Sequence, residues 1–500
     1  MQATPGRRRA AVLRLLFNYS TSAFGVISGV VLVPVYLGIF GISTYGSWLA
    51  SGDIVILLGI LDGGLTTVFG QKLAESYGSK DYPLFSRYAG AGLLMTVLVC
   101  LAMVAITWSI APYVPAWVKA EAGQYDAISL GVRLAGMGAA LSWAQLATRT
   151  ISDAWQRTIA VGMFTMSALL AGVGAIIWGL WQGWGVAAIG LGAFVRGAVL
   201  FVPTMGYVVV RWRKHALPPL SLSLVDLKKL LGVTAPIFFG RTAGLAMTNS
   251  ESLIVAVFLN PILAATLALT SKVYQIAALV LNPIHGSAAP GLAHLKGEQD
   301  EAYQLKVARE FYALFSAISA AIIAPSLAMN PSFLNVWVGG EQYAGDLVNW
   351  AASLSALLLS HHLCLGTIVV SYGQLRRAGR VGIFEAVLRG GAMISLVPVL
   401  GIAGMPLAGV VGSGAAWIVW LWLLQRYFKL DTKEMLRFIW AGWRPLVIVL
   451  PAAAALSLWL PQLKAWGPFI GISVGLGIVM LLVVFASSKP LQEKYRTLRR

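Results

Sequence analysis

The sequence has few cysteines and few histidines, and each shortage excludes a class of site. Its two cysteines, Cys100 and Cys364, lie in apolar stretches, so neither a structural disulfide nor a cysteine-ligated metal site is expected. Of its five histidines only His361 and His362 are close in sequence, and on a helix their side chains would point about 100° apart, which favours a packed pair. A GxxxxGK[ST] loop is absent, so direct ATP use is not expected. We predict no catalytic residues, no metal and no cofactor.

Charged residues are also scarce, at 11% of the 500 residues, whereas 58% are hydrophobic. With a mean hydropathy of +0.77, this composition is typical of a polytopic membrane protein. The basic N-terminus leads into a long apolar stretch without a small-residue cleavage site, which favours an uncleaved first span. Apolar windows of about 20 residues fit fourteen times, at 15–38, 46–69, 88–110, 127–147, 158–180, 186–210, 233–259, 262–284, 310–329, 347–371, 381–400, 404–425, 438–460 and 468–486.

Basic residues are concentrated on one predicted side of the membrane. The 37 lysines and arginines outnumber the 19 acidic residues and give a net charge of +18. When the two termini and the even-numbered loops share a side, that side holds 29 of the 37, and only Lys119 and Lys464 lie in loops on the other side. The positive-inside rule therefore predicts that both termini are cytoplasmic. This face would meet anionic membrane lipids, and nucleic acid is not an expected partner.

A short motif recurs after the second and the eighth predicted spans, which indicates two related halves. We therefore predict an all-α polytopic membrane protein with about 14 transmembrane helices, in which two pseudo-equivalent six-helix lobes surround a central cavity and two C-terminal helices follow. At a constant offset of 219 residues, the recurring pairs are Leu73 and Leu292, Ala74 and Ala293, Gly78 and Gly297, and Asp81 and Asp300.

The predicted domain boundaries follow from these halves. The first lobe is 1–218, the second is 219–430, and 431–500 holds the two additional helices and a basic cytoplasmic tail. Between the lobes, Ser223–Leu231 has apolar residues at helical spacing. It is either an amphipathic helix in the membrane interface or an ordinary helix that continues into the seventh span.

Nine charged residues lie well inside the predicted spans. An ion on a membrane helix costs roughly 2.5–3.5 kcal/mol, so each needs water, a partner or a ligand. The five cations suit an anionic ligand, above all a phosphate, but the four acids would nearly suffice to pair them internally, and both explanations stay open. The cations are Arg133, Arg196, Arg241, Lys272 and Arg389, and the acids are Asp53, Asp62, Glu251 and Glu385.

The spacing of these residues makes some of them partners. Glu385 and Arg389 are four residues apart and share a helix face, which predicts a structural salt bridge. Asp53 and Asp62 are nine residues apart and would lie on opposite faces of a regular helix. Lys272 lies near the middle of the eighth span.

Two predicted spans in each half resemble those of one family. The chain is similar to the bacterial polysaccharide repeat-unit flippases, the O-antigen and exopolysaccharide branch of the multidrug/oligosaccharidyl-lipid/polysaccharide exporter superfamily. The resemblance covers most of the first, second, seventh and eighth spans. Its motifs are PVYLGIFGISTYGSWLA at Pro34–Ala50, LDGGLTTVFGQKLAE at Leu61–Glu75, LLGVTAPIFFG at Leu230–Gly240, ESLIVAVFL at Glu251–Leu259, LTSKVYQIA at Leu269–Ala277 and APGLAHL at Ala289–Leu295.

The resemblance implies two lobes in a V, alternating access and a location in the bacterial inner membrane. The implied substrate is an undecaprenyl-diphosphate-linked oligosaccharide, moved from the cytoplasmic to the outer leaflet, with the polysaccharide polymerase and the chain-length machinery as candidate protein partners. Members usually carry an aspartate in the seventh span, where this chain has Glu251. We expect H⁺ or Na⁺ as the coupling ion. The expected substrate-binding residues are Lys272, Arg241, Arg196, Arg133 and Asn249, and the expected ion-coupling residues are Glu251, Asp62 and Asp53.

Two other functions remain as alternatives. The first is a cation-coupled drug or metabolite antiporter of the same superfamily, which would use a carboxylate-centred, aromatic-lined pocket. The second is a membrane glycosyltransferase or polymerase, which is disfavoured because the predicted outer loops are all shorter than twenty residues.

Overall fold

Helices make up all the regular structure of the described residues in a computed structural model of the chain. It describes residues 5–62, 64–155, 159–221, 249–297, 300–373 and 375–487, and in addition 228, 232, 238, 242–244, 246, 247 and 492. These contain sixteen α-helices: α1 (Pro5–Leu57), α2 (Leu65–Gly78), α3 (Tyr82–Ile110), α4 (Val114–Trp117), α5 (Tyr125–Ala154), α6 (Ile159–Trp181), α7 (Ala187–Lys214), α8 (Glu251–Phe258), α9 (Pro261–Thr270), α10 (Lys272–Gly297), α11 (Glu301–Trp337), α12 (Asp346–Ser371), α13 (Leu375–Leu400), α14 (Gly404–Phe428), α15 (Thr432–Trp459) and α16 (Trp466–Ser487).

Eleven helical segments of the described part are long and apolar enough to cross a membrane. Two of them hold two predicted spans each. Ser20–Asp62 bends at Gly41, whose φ of 75° leaves the helical region, and Arg377–Phe428 is interrupted by a 3₁₀ turn at Gly401–Ala403. The seventh predicted span, 233–259, lies largely outside the described residues, so the number fourteen stays a prediction.

The chain divides into two compact units, Met1–Ala265 and Thr266–Arg500. The finer boundaries predicted at 218 and 430 stay predictions. Within the second unit, α15 and α16 share one apolar core with α11, α12 and α14, since Phe438 and Met480 are buried in the same cluster as Tyr312. Tyr312 stacks on Phe438 at 5.3 Å between ring centroids. The two C-terminal helices are therefore part of the second unit's core.

Glycine pairs bring α5 and α7 close together in the first unit. A Cβ atom on Gly190 would lie 2.2 Å from the carbonyl oxygen of Gly131, and one on Gly197 would lie 2.5 Å from that of Gly138. The partners are seven residues apart on each helix, so both contacts fall on one face. Such small-residue contacts let membrane helices approach each other closely.

After α7 the chain folds back onto the start of α3. The indole Nε1 of Trp212 donates a hydrogen bond to the carbonyl oxygen of Pro218, 3.0 Å away. The hydroxyl of Ser86 donates to the carbonyl of Pro219. The helix predicted at Ser223–Leu231 lies outside the described residues except for Lys228.

The recurring motif has the same local structure in both units. Helix α2 ends at Gly78 and α10 ends at Gly297. Three residues later, Asp81 caps α3 by accepting from the backbone N–H of Leu84 at 3.0 Å, and Asp300 caps α11 by accepting from that of Tyr303 at 2.9 Å. A side-chain acceptor at this position satisfies an N–H that the first helical turn leaves free. The two copies of the motif therefore share a local structure, and the two pseudo-equivalent lobes stay a prediction.

Candidate functional site

In the first unit, the carboxylate of Asp53 in α1 lies at the N-terminus of α8. Its Oδ2 accepts a hydrogen bond from the backbone N–H of Leu253 at 2.9 Å, and Ser252 donates from its backbone and from its hydroxyl. Glu251, the first residue of α8, is close enough to interact electrostatically with Asp53. Two of the predicted ion-coupling residues are thus neighbours, on a helix end whose dipole favours negative charge.

Lys119 holds the opposite end of α8. The charge distribution predicts that this lysine lies in an outer loop, and no function is predicted for it. Its Nζ donates to the carbonyl oxygen of Leu259, 3.1 Å away. A cation at a helix C-terminus is stabilising because the free carbonyls carry partial negative charge. Just beyond, a Cβ on Gly46 would collide with the carbonyl oxygen of Pro261 at 1.8 Å, so α1 and the start of α9 are in direct backbone contact. Helix α8 is therefore fixed at both ends to the first unit.

The carboxylate of Asp62, the third predicted ion-coupling residue, accepts hydrogen bonds from residues close to it in sequence. Its Oδ2 accepts from the backbone N–H of Gly64 at 3.1 Å, and its Oδ1 accepts from that of Thr66 at 3.0 Å and from the Thr66 hydroxyl. Helix α1 ends at Leu57, so the expectation of Asp53 and Asp62 on opposite faces of one helix does not apply. Both carboxylate oxygens of Asp62 hold the turn that begins α2.

The predicted substrate-binding arginines of the first unit lie against different helices. The Arg133 guanidinium, in α5, lies over the Trp108 ring of α3, with its Cζ 5.4 Å from the ring centroid. Arg196, in α7, is exposed, and its Cβ atom packs against Gly172 of α6. Arg241 lies outside the described residues, and Asn249 lies just before α8.

In the second unit, the eighth predicted span is interrupted next to Lys272. Helix α9 ends at Thr270 and α10 begins at Lys272, with a turn at Ser271. The eighth predicted span is therefore not one uninterrupted helix in this structure. Lys272 instead occupies the first turn of α10, where the helix dipole is also positive. Among the described residues of this unit, no carboxylate lies within salt-bridge distance of its ammonium group.

Two buried asparagines explain the interruption. Asn330, in α11, donates from its Nδ2 to the carbonyl oxygen of Thr270 at 2.9 Å and to Oδ1 of Asn349, in α12, at 2.8 Å. The hydroxyl of Tyr274 donates to the same Asn349 oxygen. Broken helices are tolerated at membrane depth only where protein or a watery cavity satisfies the freed backbone groups. Here the asparagine pair does so, and it fixes the start of α10.

The predicted bridge between Glu385 and Arg389 has an additional partner, which sequence spacing does not indicate. Oε1 of Glu385 lies 3.3 Å from Nε2 of His362 and accepts from the hydroxyl of Ser413 at 3.0 Å. Arg389 is buried one turn further along α13. His361 packs as expected, with its Nε2 3.1 Å from the Ser316 hydroxyl. The bridge itself stays a prediction.

Comparison with known proteins places this geometry in a known fold. No protein-family model and no curated protein sequence matches the chain. Among solved structures, the lipid II flippase MurJ in an inward closed conformation aligns with 98% of this chain and 100% of its own, at a TM-score of 0.66 and 12% identity. A mutant of VcmN, a MATE transporter of Vibrio cholerae, aligns with 86% of this chain and 99% of its own, at a TM-score of 0.57 and 13% identity. An outward-facing multidrug resistance MATE family transporter of the MOP superfamily aligns with 86% of this chain and 100% of its own, at a TM-score of 0.59 and 14% identity.

These identities show a shared fold. The chain is an all-helical, multi-pass membrane protein with the fold of MurJ and of the MATE transporters. The fold-level part of the predicted resemblance is confirmed, and the repeat-unit branch stays a prediction.

Proposed function

We propose that this protein is a flippase that moves an undecaprenyl-diphosphate-linked oligosaccharide from the cytoplasmic to the outer leaflet of the bacterial inner membrane by alternating access. The observation that carries the proposal is the extent of the fold match. MurJ aligns with 98% of the chain, whereas the MATE structures align with 84–86% of it. A chain built like a lipid flippase over its whole length favours a lipid-linked substrate over a small drug.

Lys272 is the proposed contact for the diphosphate. It begins α10 directly after a helix break, so its ammonium group and the free N–H groups of the first turn carry positive charge at one point. Half-helices whose N-termini face anionic groups of the substrate occur in several transporter folds. We include Arg196, Arg241 and Asn249 as further substrate contacts and assign Arg133 a separate role below.

Asp53 and Glu251 are the proposed site of proton or sodium coupling. The Asp53 carboxylate accepts from the first turn of α8, and a charged acceptor binds an N–H more strongly than a neutral one. Protonation of Asp53 would weaken this attachment of α8 to α1, and a bound Na⁺ would compete for the same oxygens. Ion binding would thus alter the position of α8. Polysaccharide polymerase and chain-length proteins are proposed partners in surface polysaccharide assembly.

The test uses Lys272→Gln, with Lys464→Gln as the matched control in an exposed loop. The purified protein is reconstituted into vesicles that contain the lipid-linked oligosaccharide, and a membrane-impermeant lectin reports which leaflet holds the sugar. We expect the wild-type protein and Lys464→Gln to move the sugar, and Lys272→Gln to move it at least about tenfold more slowly, because a charge-assisted contact is lost. Equal rates for all three would remove Lys272 from the site, and no movement by the wild-type protein would refute the flippase.

The antiporter alternative rests on the MATE alignments. It predicts efflux of cationic drugs driven by an ion gradient, with no change in the leaflet distribution of the lipid-linked sugar. The same vesicles, loaded with a fluorescent cationic dye, separate the two functions. A glycosyltransferase or polymerase is not supported, since the aligned structures are a flippase and transporters.

A further inference from the structure

An apolar groove lies wholly within the first unit. It has a volume of about 450 Å³ and runs between α3 and α7 over α5. Val97 and Leu101 of α3 line it while exposing 53% and 61% of their surface. The groove is therefore open along its side at the depth of the membrane-spanning helices. Its wall includes Met137, Leu141, Phe194 and Phe201.

The few polar side chains of the wall are already hydrogen-bonded to backbone. The hydroxyl of Thr96 donates to the Gly92 carbonyl at 2.8 Å, that of Thr148 donates to the Gln145 carbonyl at 2.8 Å, and Sγ of Cys100 donates across to α5 at 3.1 Å. A polar ligand placed here would lose its hydrogen bonds to water without replacement. The chemistry of the wall selects a hydrocarbon chain.

One end of the groove is closed by a buried cluster. One helical turn beyond the lining residues on α3, α5 and α7 lie Ala89, Ile151 and Val208, which belong to a single cluster of buried apolar side chains. Phe85 and Trp212 extend this cluster by stacking at 5.5 Å. A hydrocarbon chain bound in the groove has to terminate against this cluster. Its polar head group must therefore lie at the opposite end of the groove.

The other end carries a cation. One turn beyond the lining residues Val104 and Met137 lie Trp108 and Arg133, which contact each other across α3 and α5 at 5.4 Å. Nε of Arg133 is buried without a hydrogen-bond partner among the described residues. Trp108 is 49% exposed, as is common for tryptophan at a membrane interface. The Arg133 guanidinium, a cation beside an interfacial tryptophan, complements a phosphate group.

We propose that this groove binds one acyl chain of a membrane phospholipid whose phosphate lies on Arg133. The charge distribution predicts that this end faces the outer leaflet. From Val104 to Leu93 the groove follows eleven residues of α3, or ~16 Å at ~1.5 Å per residue. Burial of each methylene along this length is favourable, and the arginine fixes the head group. The site belongs to the first unit alone and is independent of the transported substrate.

The experiment measures phospholipid binding by native mass spectrometry of the full chain in detergent. Val97→Trp fills the groove at an exposed position, and Arg133→Gln removes the cation. The matched controls are Leu98→Trp, a 50% exposed neighbour outside the lining, and Arg426→Gln, whose arginine lies 4.0 Å over the Trp422 ring in α14. Size-exclusion profiles and thermal unfolding verify that all four variants are folded.

We expect one tightly bound phosphatidylglycerol per wild-type protein. The Kd should be about tenfold higher for Arg133→Gln, which loses a charge-assisted hydrogen bond, and for Val97→Trp, which loses the space for the acyl chain. The controls should bind as the wild type does. Unchanged Kd values for Val97→Trp and Arg133→Gln would overturn the proposal. If glycerophosphate, which lacks acyl chains, displaced the bound phosphatidylglycerol, the groove would not be a binding site for an acyl chain. If the protein bound undecaprenyl phosphate but no phospholipid, the proposed ligand would be wrong.

Discussion

Asn330 donates a hydrogen bond to the carbonyl oxygen of Thr270, the last residue before the turn that precedes Lys272. This contact converts a continuous apolar stretch into two helices, because it satisfies a carbonyl that would otherwise need an N–H four residues on. Asn349 supports it by accepting from both Asn330 and Tyr274. The position of Lys272 is therefore set by side chains of two other helices.

We expect Asn330→Ala to lower the free energy of unfolding by about 1–3 kcal/mol, because it leaves the buried Thr270 carbonyl without its partner and removes one of the two hydrogen bonds that Oδ1 of Asn349 accepts. Transport should fall as well, since the start of α10 is no longer fixed. Thermal unfolding in detergent and the leaflet assay measure the two effects. The control is Asn335→Ala, which removes a half-buried hydrogen bond to Leu463 of 2.8 Å and should leave transport intact. An Asn330→Ala variant that transports at the wild-type rate would show that the break does not position Lys272.

Asp53→Asn should separate charge from structure at the N-terminus of α8. The amide oxygen can still accept from Leu253, but it carries no charge and leaves no second oxygen for Ser252, so we expect the free energy of unfolding to fall by about 1 kcal/mol. The charge is gone, however, so a proton or sodium gradient should no longer accelerate transport. Rates measured with and without an imposed gradient test this. Glu75→Gln, which removes an exposed carboxylate paired with Lys72, is the control, and a gradient effect retained by Asp53→Asn would exclude Asp53 as the coupling residue.

The same substitution at Asp62 should have the opposite outcome. Both oxygens of Asp62 accept hydrogen bonds, from Gly64 and from Thr66, and an asparagine offers only one oxygen. We expect a loss of about 0.5–2 kcal/mol, as for other lost helix caps, with faster hydrogen exchange in α2 and with the gradient dependence of transport preserved. Loss of the gradient effect in a fully stable Asp62→Asn protein would instead make Asp62 a coupling residue.

Local patterns in the sequence predicted much of this fold. The apolar windows locate the long helices, and the motif after the second and eighth spans identifies Asp81 and Asp300 as equivalent residues, which both cap a helix. These features depend on neighbours within a few residues, so they can be read without knowledge of the tertiary structure. The same holds for the list of charged residues inside the spans.

The contacts that hold Asp53 and that interrupt the helix before Lys272 were not predictable, because the residues that make them are distant in sequence. Asn330 is 60 residues from Thr270, and Asp53 is 200 residues from Leu253. LALTSKVY has no proline or glycine that would indicate a break before Lys272. Likewise, the four-residue spacing of Glu385 and Arg389 gives no indication that His362 approaches Glu385 from another helix.

The glycine contacts between α5 and α7 give a final prediction about stability. Gly197→Val would place its side chain against the Gly138 carbonyl, which a Cβ atom alone already meets at 2.5 Å. Since backbone cannot move aside as a flexible side chain can, α7 must shift away from α5 or the variant must fail to fold. Gly206, also in α7, has open space where its Cβ would be, so Gly206→Val is the matched control for the change in helix propensity.

We expect Gly197→Val to lower the free energy of unfolding by about 1–3 kcal/mol, the usual range for overpacking, and Gly206→Val to change it by less than about 1 kcal/mol. Thermal unfolding in detergent gives the comparison, and Gly197→Ala supplies a milder variant if the valine protein does not accumulate. Because α5 and α7 also form two walls of the groove that ends at Arg133, the shifted helix should weaken phospholipid binding in parallel with stability. Equal stability of the two valine variants would mean that the close approach of α5 and α7 does not support the first unit.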